Sequence, residues 1–185
     1  MKLRYLLCCL ALGFGLTAQA GITYSSTSGA IPDGNPTGWS ATATVTDPMW
    51  SIEDVNVTIN MSGGYNGDIY AYLSYGGVLG PLLNRVGKGL DSEPQYSFGF
   101  STSGFGSITL DDQATANGSI HSVASPVSGQ SYQPDTYFGG NTLSAFKNMN
   151  PNGTWTIFFA DMSSGETSQL QGWSLDITAV PEPVN

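Results

Sequence analysis

The stretch VNVTINM, residues 55–61, alternates strictly between apolar and polar side chains. A period of two places the apolar residues on one face of a β-strand and the polar residues on the other face. The same alternation recurs in IYAYLSY, residues 69–75, in WTIFF, residues 155–159, and most regularly in WSLDIT, residues 173–178. These segments predict strands that cover a core with one face and meet water with the other.

Turn-forming pairs separate these segments at short intervals, at Gly63-Gly64, Gly76-Gly77, Gly139-Gly140 and Asn152-Gly153. No segment after residue 20 shows the apolar stripe of a helix of ten or more residues. Many short strands joined by turns are typical of β-sandwiches and jelly rolls. We therefore predict one all-β domain, a jelly-roll-like β-sandwich. The predicted core strands are residues 40–46, 52–61, 67–75, 78–84, 107–111, 154–161 and 168–178.

The first twenty residues have the three parts of a signal peptide. Lys2 and Arg4 form a basic start, residues 6–16 form an apolar segment, and residues 18–20 form a small-residue cleavage site. The apolar segment is too short to span a bilayer. We therefore predict that residues 1–20 are removed on export. Both cysteines leave with them, so a mature chain without disulfides favours a bacterial exported protein over an animal one.

Charge excludes several kinds of partner. Removal of Lys2 and Arg4 would leave three basic residues against fourteen acidic ones, a net charge of −11. Nucleic acids and anionic membranes bind clustered Lys and Arg, so neither is an expected partner. An acidic surface suits Ca²⁺, which prefers oxygen ligands, although acidic residues also keep exported proteins soluble.

Four carboxylates stand at the ends of predicted strands and are the candidate metal ligands. Asp68 follows a glycine at a strand start, Asp111 and Asp112 end a strand, and Asp161 ends the strand that begins near Trp155. If these ends meet at one edge of the sandwich, the four residues could supply oxygens to Ca²⁺. The alternative is that they are ordinary loop-capping residues.

Catalysis has little support in the sequence. His121 is the one histidine, and no G-x-S-x-G motif accompanies it, so we expect a solvated loop side chain. Ser144 to Lys147 spells S-x-x-K, but the partner motifs S-D-N and K-T-G are absent, and the flanking Gly139-Gly140 and Pro151 leave little room for a helix. We predict no catalytic residue and no enzymatic activity.

A loop that resembles the start of a calcium-binding EF-hand has a simpler interpretation as a turn. Asn148, Asn150 and Asn152 have the alternate spacing of EF-hand ligands, but Phe159 stands where the closing Glu is required. Residues 150–153, Asn-Pro-Asn-Gly, place Pro and Gly where a tight turn needs them.

Aromatic residues leave a carbohydrate-binding function open, because exposed rings stack on sugars. Core packing is the competing explanation for the same rings. The candidates are Trp39, Trp50, Tyr70, Tyr72 and Tyr75.

Seven short motifs, in this order, carry a family resemblance. They are IPDGNPTG (31–38), YNGDI (65–69), LLNRVG (82–87), ITLDDQA (108–114), LSAF (143–146), NPNGTW (150–155) and GWSL (172–175). Together they resemble the P domain, or homo-B domain, a β-jelly-roll module that follows the catalytic domain of subtilisin-like proprotein convertases and of many bacterial proteases. The resemblance covers residues 31–178. It implies a jelly-roll sandwich with calcium near the Gly-Asp and Asp-Asp segments, but not proteolysis, since no catalytic domain is present in this sequence.

The C-terminal residues 180–183, Val-Pro-Glu-Pro, resemble the signature of bacterial PEP-CTERM sorting signals. Such signals continue with an apolar span and a basic cluster, neither of which is in this sequence, so the membrane would be reached only through a tail outside it. We divide the chain into a signal peptide (1–20), an N-terminal lead (21–30), the P-domain-like sandwich (31–178) and the start of a sorting tail (179–185).

Three functions follow as hypotheses. The first is a non-catalytic, exported binding or structural module of the envelope or extracellular matrix of a Gram-negative-type bacterium, with an extracellular protein or polysaccharide as partner. The second is a carbohydrate-binding module. The third is an accessory domain of a subtilisin-like serine protease.

Overall fold

The computed structural model describes residues 20–26, 28–46, 49–89 and 98–181. Within them the chain forms ten strands and three short 3-10 helices, and no α-helix is present in the described ranges. The strands are β1 (Ala20–Ser26), β2 (Gly29–Ile31), β3 (Asn35–Val45), β4 (Met49–Gly63), β5 (Ile69–Tyr75), β6 (Val78–Asn84), β7 (Gly106–Leu110), β8 (Ser131–Tyr132), β9 (Gly153–Asp161) and β10 (Ser168–Pro181). The 3-10 helices are Asn66–Asp68, Ile120–Ser122 and Leu143–Phe146.

Two sheets form the sandwich. The six-stranded sheet has the order β1-β10-β4-β7-β8, with β2 pairing beside β1 on β10, and the four-stranded sheet has the order β3-β9-β5-β6. Except for the parallel pair β7–β8, the pairs are antiparallel. The chain crosses between the sheets after β2, β3, β4, β6, β8 and β9. This all-β jelly-roll sandwich confirms the predicted fold class.

Alternation places the core between the sheets, as predicted. Val55, Val57, Ile59 and Met61 of β4 are buried, whereas their polar neighbours are half-buried or exposed. Strand β10 presents a matching buried row, and Trp173 pairs opposite Ile59 in the register of the two strands. These apolar side chains leave water together, which is the dominant stabilising contribution to such a fold.

The seven predicted strands all form, with small differences at their ends. Strands β1 and β2 were not predicted, and β8 lies outside the predicted core strands. Strands β1 and β2 bring residues of the predicted N-terminal lead into the six-stranded sheet. The predicted signal peptide lies outside the described residues apart from Ala20, and the sorting motif lies outside them beyond Pro181. None of the described residues belongs to a helix long and apolar enough to cross a membrane.

Candidate binding cleft

Two of the four predicted metal ligands lie side by side at one end of the sandwich. Asp161 ends β9 and pairs opposite Ile69, the residue after Asp68. The backbone N–H of Met162 donates to the Asp68 carbonyl at 2.8 Å, which fixes the two segments to each other. The structure therefore brings Asp68 and Asp161 together through the antiparallel pairing of β5 with β9.

Asp161 is fully buried and incompletely hydrogen-bonded. Its Oδ1 accepts from the Ser163 backbone N–H at 3.2 Å, whereas its Oδ2 has no hydrogen-bond partner among the described residues. Burial raises the pKa of the Asp161 carboxyl, and the nearby Asp68 and Asp33 carboxylates raise it further, against the lowering effect of the Ser163 and Gly34 N–H groups. Its environment therefore disfavours the charge.

The other acidic groups at this end have their own donors. Arg85 Nη2 lies 3.4 Å from Asp68 Oδ1 and donates to Ser163 Oγ at 2.9 Å. Both Asp33 oxygens accept from the Gly165 N–H, at 3.0 and 3.2 Å. Asp33 was not among the predicted ligands, although it stands in the motif IPDGNPTG that carries the family resemblance.

Asp111 and Asp112 lie elsewhere, at the end of β7 in the other sheet, where their carboxylates stabilise loops. Asp111 Oδ1 accepts from the Gln113 N–H at 2.7 Å. The Asp112 oxygens accept from the N–H groups of Leu143 and Ser144, at 3.1 and 2.6 Å. Asp112 therefore caps the 3-10 helix Leu143–Phe146. This is the loop-capping role that the sequence left open as the alternative to a metal ligand.

The fit to Ca²⁺ is partial. Two buried oxygens, Asp161 Oδ2 and Asn66 Oδ1, lack hydrogen-bond partners among the described residues, which is favourable for a cation. However, no three His, Cys, Asp or Glu side chains in the described ranges are arranged to hold a metal ion. The four predicted ligands do not form one site, and calcium binding stays a prediction.

Beside Asp68 the surface opens into a cleft of about 550 Å³. It is lined by Tyr65, Asp68, Phe98, Gly99, Phe100, Ser101, Ser163 and Ser164. Three large apolar side chains at or next to this cleft are exposed: Phe98 at 70%, Met162 at 41% and Tyr65 at 38% of their full accessible surface. We call this feature, defined by its lining residues, the end cleft.

Two glycines determine how the end cleft forms. A Cβ on Gly67 would lie 2.6 Å from the Gly99 carbonyl carbon, so the two backbones approach more closely than any side chain allows. Gly99 has φ +88°, and the Gly67 N–H donates to the Phe100 carbonyl at 2.8 Å. This crossing brings Phe98 and Phe100 next to Tyr65 and Asp68.

The expectation that His121 is a solvated loop residue is wrong, because its ring is 1% exposed. Nδ1 lies 2.7 Å from Oδ2 of the buried Asp135, and Nε2 lies 3.1 Å from the Lys88 carbonyl. The ring also stacks on Tyr137, with centroids 4.2 Å apart. A serine protease triad needs Nε2 free to accept a serine proton, and here Nε2 donates to a carbonyl.

The S-x-x-K segment forms one turn of 3-10 helix, although the sequence left little room for a helix. Ser144 lies inside this turn, and Lys147 follows it as the C-cap residue, with its N–H donating to the Ser144 carbonyl at 3.0 Å. Of residues 150–153, predicted as a tight turn, the first three have no regular structure and Gly153 begins β9. The Asn152 N–H donates to Asn150 Oδ1 at 2.8 Å, and Trp155 Nε1 donates to the Pro151 carbonyl at 2.9 Å.

The aromatic residues considered for carbohydrate binding pack mainly against other rings. Tyr75 stacks on Trp155 with centroids 4.1 Å apart, and Trp39 packs against the core beside Phe159. Tyr72 stacks on Phe158 at 4.9 Å, which covers one face of its ring, and Tyr70 meets Tyr72 edge-on. The Trp50 side chain lies outside what the structure describes. The rings with the greatest exposure are elsewhere, in the end cleft and at Tyr137 and Phe138.

The chain is similar to known proteins only at the level of solved structures. No family model matches the sequence, and no curated protein matches it. Among solved structures, the serine protease of Aeromonas sobria is similar at 16% identity and a TM-score of 0.49, over 89% of this chain and 28% of that chain. The complex of that protease with its chaperone ORF2 gives 18% identity and a TM-score of 0.48, over 88% of this chain and 27% of that chain. The chain thus spans little more than a quarter of these structures.

Proposed function

We propose that this protein is an exported, non-catalytic β-sandwich module that binds an extracellular protein through the end cleft. The proposal includes the resemblance to P domains, export by the N-terminal signal peptide and retention at the cell envelope by a PEP-CTERM-type tail. The observation that carries it is the grouping of exposed apolar side chains with a carboxylate at one end of the sandwich.

The composition of the end cleft favours a protein as partner. Aromatic residues and Met are enriched in protein interfaces, and exposed apolar side chains that lie together mark such surfaces. Phe98 and Tyr65 of the cleft and the neighbouring Met162 are exposed, as are Leu79, Val127, Tyr137 and Phe138 elsewhere, whereas thirty apolar residues of the described part of the chain are buried. A partner that covers Phe98, Tyr65 and Met162 would remove their apolar surface from water.

The polar groups available for chemistry favour binding over catalysis. Both ring nitrogens of His121 have partners inside the fold, and the Asp112 carboxylate is held by two backbone N–H groups. Lys147 lies outside the single 3-10 turn that contains Ser144. Turnover of peptide, ester or glycosidic substrates by the purified protein at enzyme-like rates would contradict this part of the proposal.

Two alternative functions would use different surfaces or partners. A carbohydrate-binding module would use Tyr70 or Tyr72 on the outer face of the four-stranded sheet, where both side chains are half-buried. An accessory domain of a subtilisin-like protease would use the end cleft, with the protease as its partner.

The experiment is co-sedimentation of the purified protein with cell envelopes of the producing bacterium. We expect the wild type to sediment with untreated envelopes and with envelopes whose glycans are oxidised by periodate, but not after protease treatment. Phe98→Ala should lose sedimentation, whereas Phe138→Ala, a matched exposed phenylalanine outside the cleft lining, should keep it. Loss after periodate alone would favour the carbohydrate alternative, and equal behaviour of the two variants would contradict the end cleft as the site.

A further inference from the structure

We infer that the end cleft recognises a cationic side chain, arginine or lysine, in a basic segment of the partner protein. This inference rests on the proposed function and names the chemistry of the group that enters the cleft. It follows from the rings that surround the cleft, from the charge at this end of the sandwich and from the hydrogen-bonding groups on the cleft walls.

Three aromatic side chains and one carboxylate line the same space. Tyr65, Phe98 and Phe100 contribute rings, and Asp68 contributes the carboxylate. Cations are attracted to the faces of aromatic rings, and such sites are a common means of recognising organic cations. An anionic group would meet the negative faces of the rings and the Asp68 carboxylate, so the lining discriminates against it.

The charge around the cleft has the matching sign. Asp33 and Glu166 lie in the turns at this end, and Asp68 lies on the cleft wall. Against these three carboxylates stand Arg85, which pairs with Asp68, and Lys88, which follows the Gly87 that packs against Phe100. The acidic excess agrees with the net charge of −9 of the whole chain, so a basic partner would be attracted to this end before contact.

Polar groups complete the fit to a cationic donor. Ser101, Ser163 and Ser164 line the cleft, and their hydroxyl groups can accept hydrogen bonds. Arg85 Nη2 donates to Asp68 Oδ1 at 3.4 Å, which is long for a charge-assisted hydrogen bond. The Asp68 side chain is only 9% exposed and is already paired with Arg85, so it contributes negative charge to the cleft wall, and the serine hydroxyl groups are the accessible acceptors.

The test is isothermal titration with three short peptides of one design, Gly-X-Gly-X-Gly, where X is arginine, citrulline or glutamate. Citrulline keeps the shape of arginine without its charge. With chelator present, we expect the arginine peptide to bind at least about tenfold more tightly than the citrulline peptide and more weakly as salt increases, because the attraction is electrostatic. The glutamate peptide should not bind.

Phe98→Ala should weaken binding of the arginine peptide by about fivefold, the size expected for loss of one cation–ring contact. Phe138→Ala should leave the affinity within about twofold of the wild type, because Phe138 does not line the cleft. Since Phe98 is largely exposed, its loss should not unfold the protein, and Tyr65→Leu provides a second cleft variant.

Equal affinity for the arginine and citrulline peptides, or equal losses in Phe98→Ala and Phe138→Ala, would overturn the inference. If envelopes bind through Phe98 but the arginine peptide neither binds nor competes, the inference fails and the proposed function stands. If the peptide binds as expected but envelopes do not, the proposed function fails and the cation site stands.

Discussion

At the scale of single residues, His121 and Asp135 form a buried pair in which every side-chain polar atom has a partner. Asp135 Oδ1 accepts from the Tyr137 N–H at 3.2 Å, and Oδ2 accepts from the Asn84 N–H at 3.0 Å as well as meeting His121 Nδ1. With Nε2 donating to Lys88, one proton is shared between Nδ1 and Oδ2. The pair thereby joins the end of β6 to the loops around residues 88, 121 and 137.

His121→Ala should therefore destabilise the fold by about 3 kcal/mol, because it leaves the Asp135 carboxyl buried without its main side-chain partner. Urea unfolding followed by tryptophan fluorescence measures this change, with the exposed neighbour Ser122→Ala as control. A His121→Ala variant as stable as Ser122→Ala would show that the pair is not structural.

The Asp135 carboxyl also predicts a pH dependence. Burial raises the pKa of Asp135, and hydrogen bonding and charge attraction from His121, with the Tyr137 and Asn84 N–H groups, oppose that rise. A carboxyl whose pKa is higher in the folded state contributes stability at low pH, and that contribution is lost as pH rises through the folded-state value. We expect wild type to lose stability relative to Asp135→Asn as pH rises from 3.8, the ordinary value. A difference between the two that is constant with pH would contradict this assignment.

Asp161 supplies the test of calcium. In chelator, Asp161→Asn should stabilise the protein by about 1 kcal/mol, because an amide replaces a buried charged oxygen that lacks a donor. If Asp161 is a ligand, millimolar Ca²⁺ should raise the melting temperature of the wild type but not of Asp161→Asn, since only a ligand of the folded state stabilises it. An unchanged wild-type melting temperature between chelator and calcium would refute the metal prediction.

At the scale of elements, polar residues of the resemblance motifs connect segments distant in sequence. Asp33 binds Gly165, Arg85 binds Asp68, and Asp112 binds the helix that starts at Leu143. Each contact fixes a loop at the end of a strand. These polar residues, some of which were candidate metal ligands in the sequence, thus mainly hold loops against the sandwich.

Asp112→Ala should cost about 1–2 kcal/mol, the usual effect of removing a helix N-terminal cap, because two backbone donors lose their acceptor. Asp112→Asn, which keeps one acceptor oxygen, should cost about half as much. Thermal unfolding measures both, and Lys147→Ala, at an exposed position after the same helix, serves as control. If Lys147→Ala lowered the stability as much as Asp112→Ala, the effect could not be assigned to the cap that Asp112 provides.

The strands that could be predicted are those with a regular alternation, such as β4 and β10. Strand β1 was missed because its sequence, AGITYSS, has only two large apolar or aromatic residues, Ile22 and Tyr24, too few for an alternation to stand out. Strands β2 and β8 have three and two residues, too few for alternation to be visible. Their existence depends on the edges that the larger strands offer.

The end cleft was less predictable than the strands. It combines the turn before β5, a segment after residue 97 and the turn after β9, which come together only in the folded chain. Tyr65 and Asp68 were visible in a motif, whereas Phe98 and Phe100 belong to none of the seven motifs and to none of the predicted core strands. The pairing of β5 with β9 brings the predicted ligands Asp68 and Asp161 together. Asp111 and Asp112 follow β7, which belongs to the other sheet, so strand pairing does not bring them to the same place.

At the scale of the whole molecule, the jelly roll supplies a rigid support, and the end cleft supplies the surface with exposed aromatic rings. In the proposed function, a partner protein covers this end and not the outer face of the four-stranded sheet. The two surfaces carry different oxidisable side chains, so a single experiment can distinguish them.

Hydroxyl-radical footprinting of the protein bound to envelopes tests this claim most directly. We predict that oxidation of Tyr65, Phe98 and Met162 falls on binding, whereas oxidation of Tyr70, Tyr72 and Phe138 is unchanged. Protection of Tyr70 and Tyr72 with an unprotected end cleft would contradict the account and would place the partner on the sheet face.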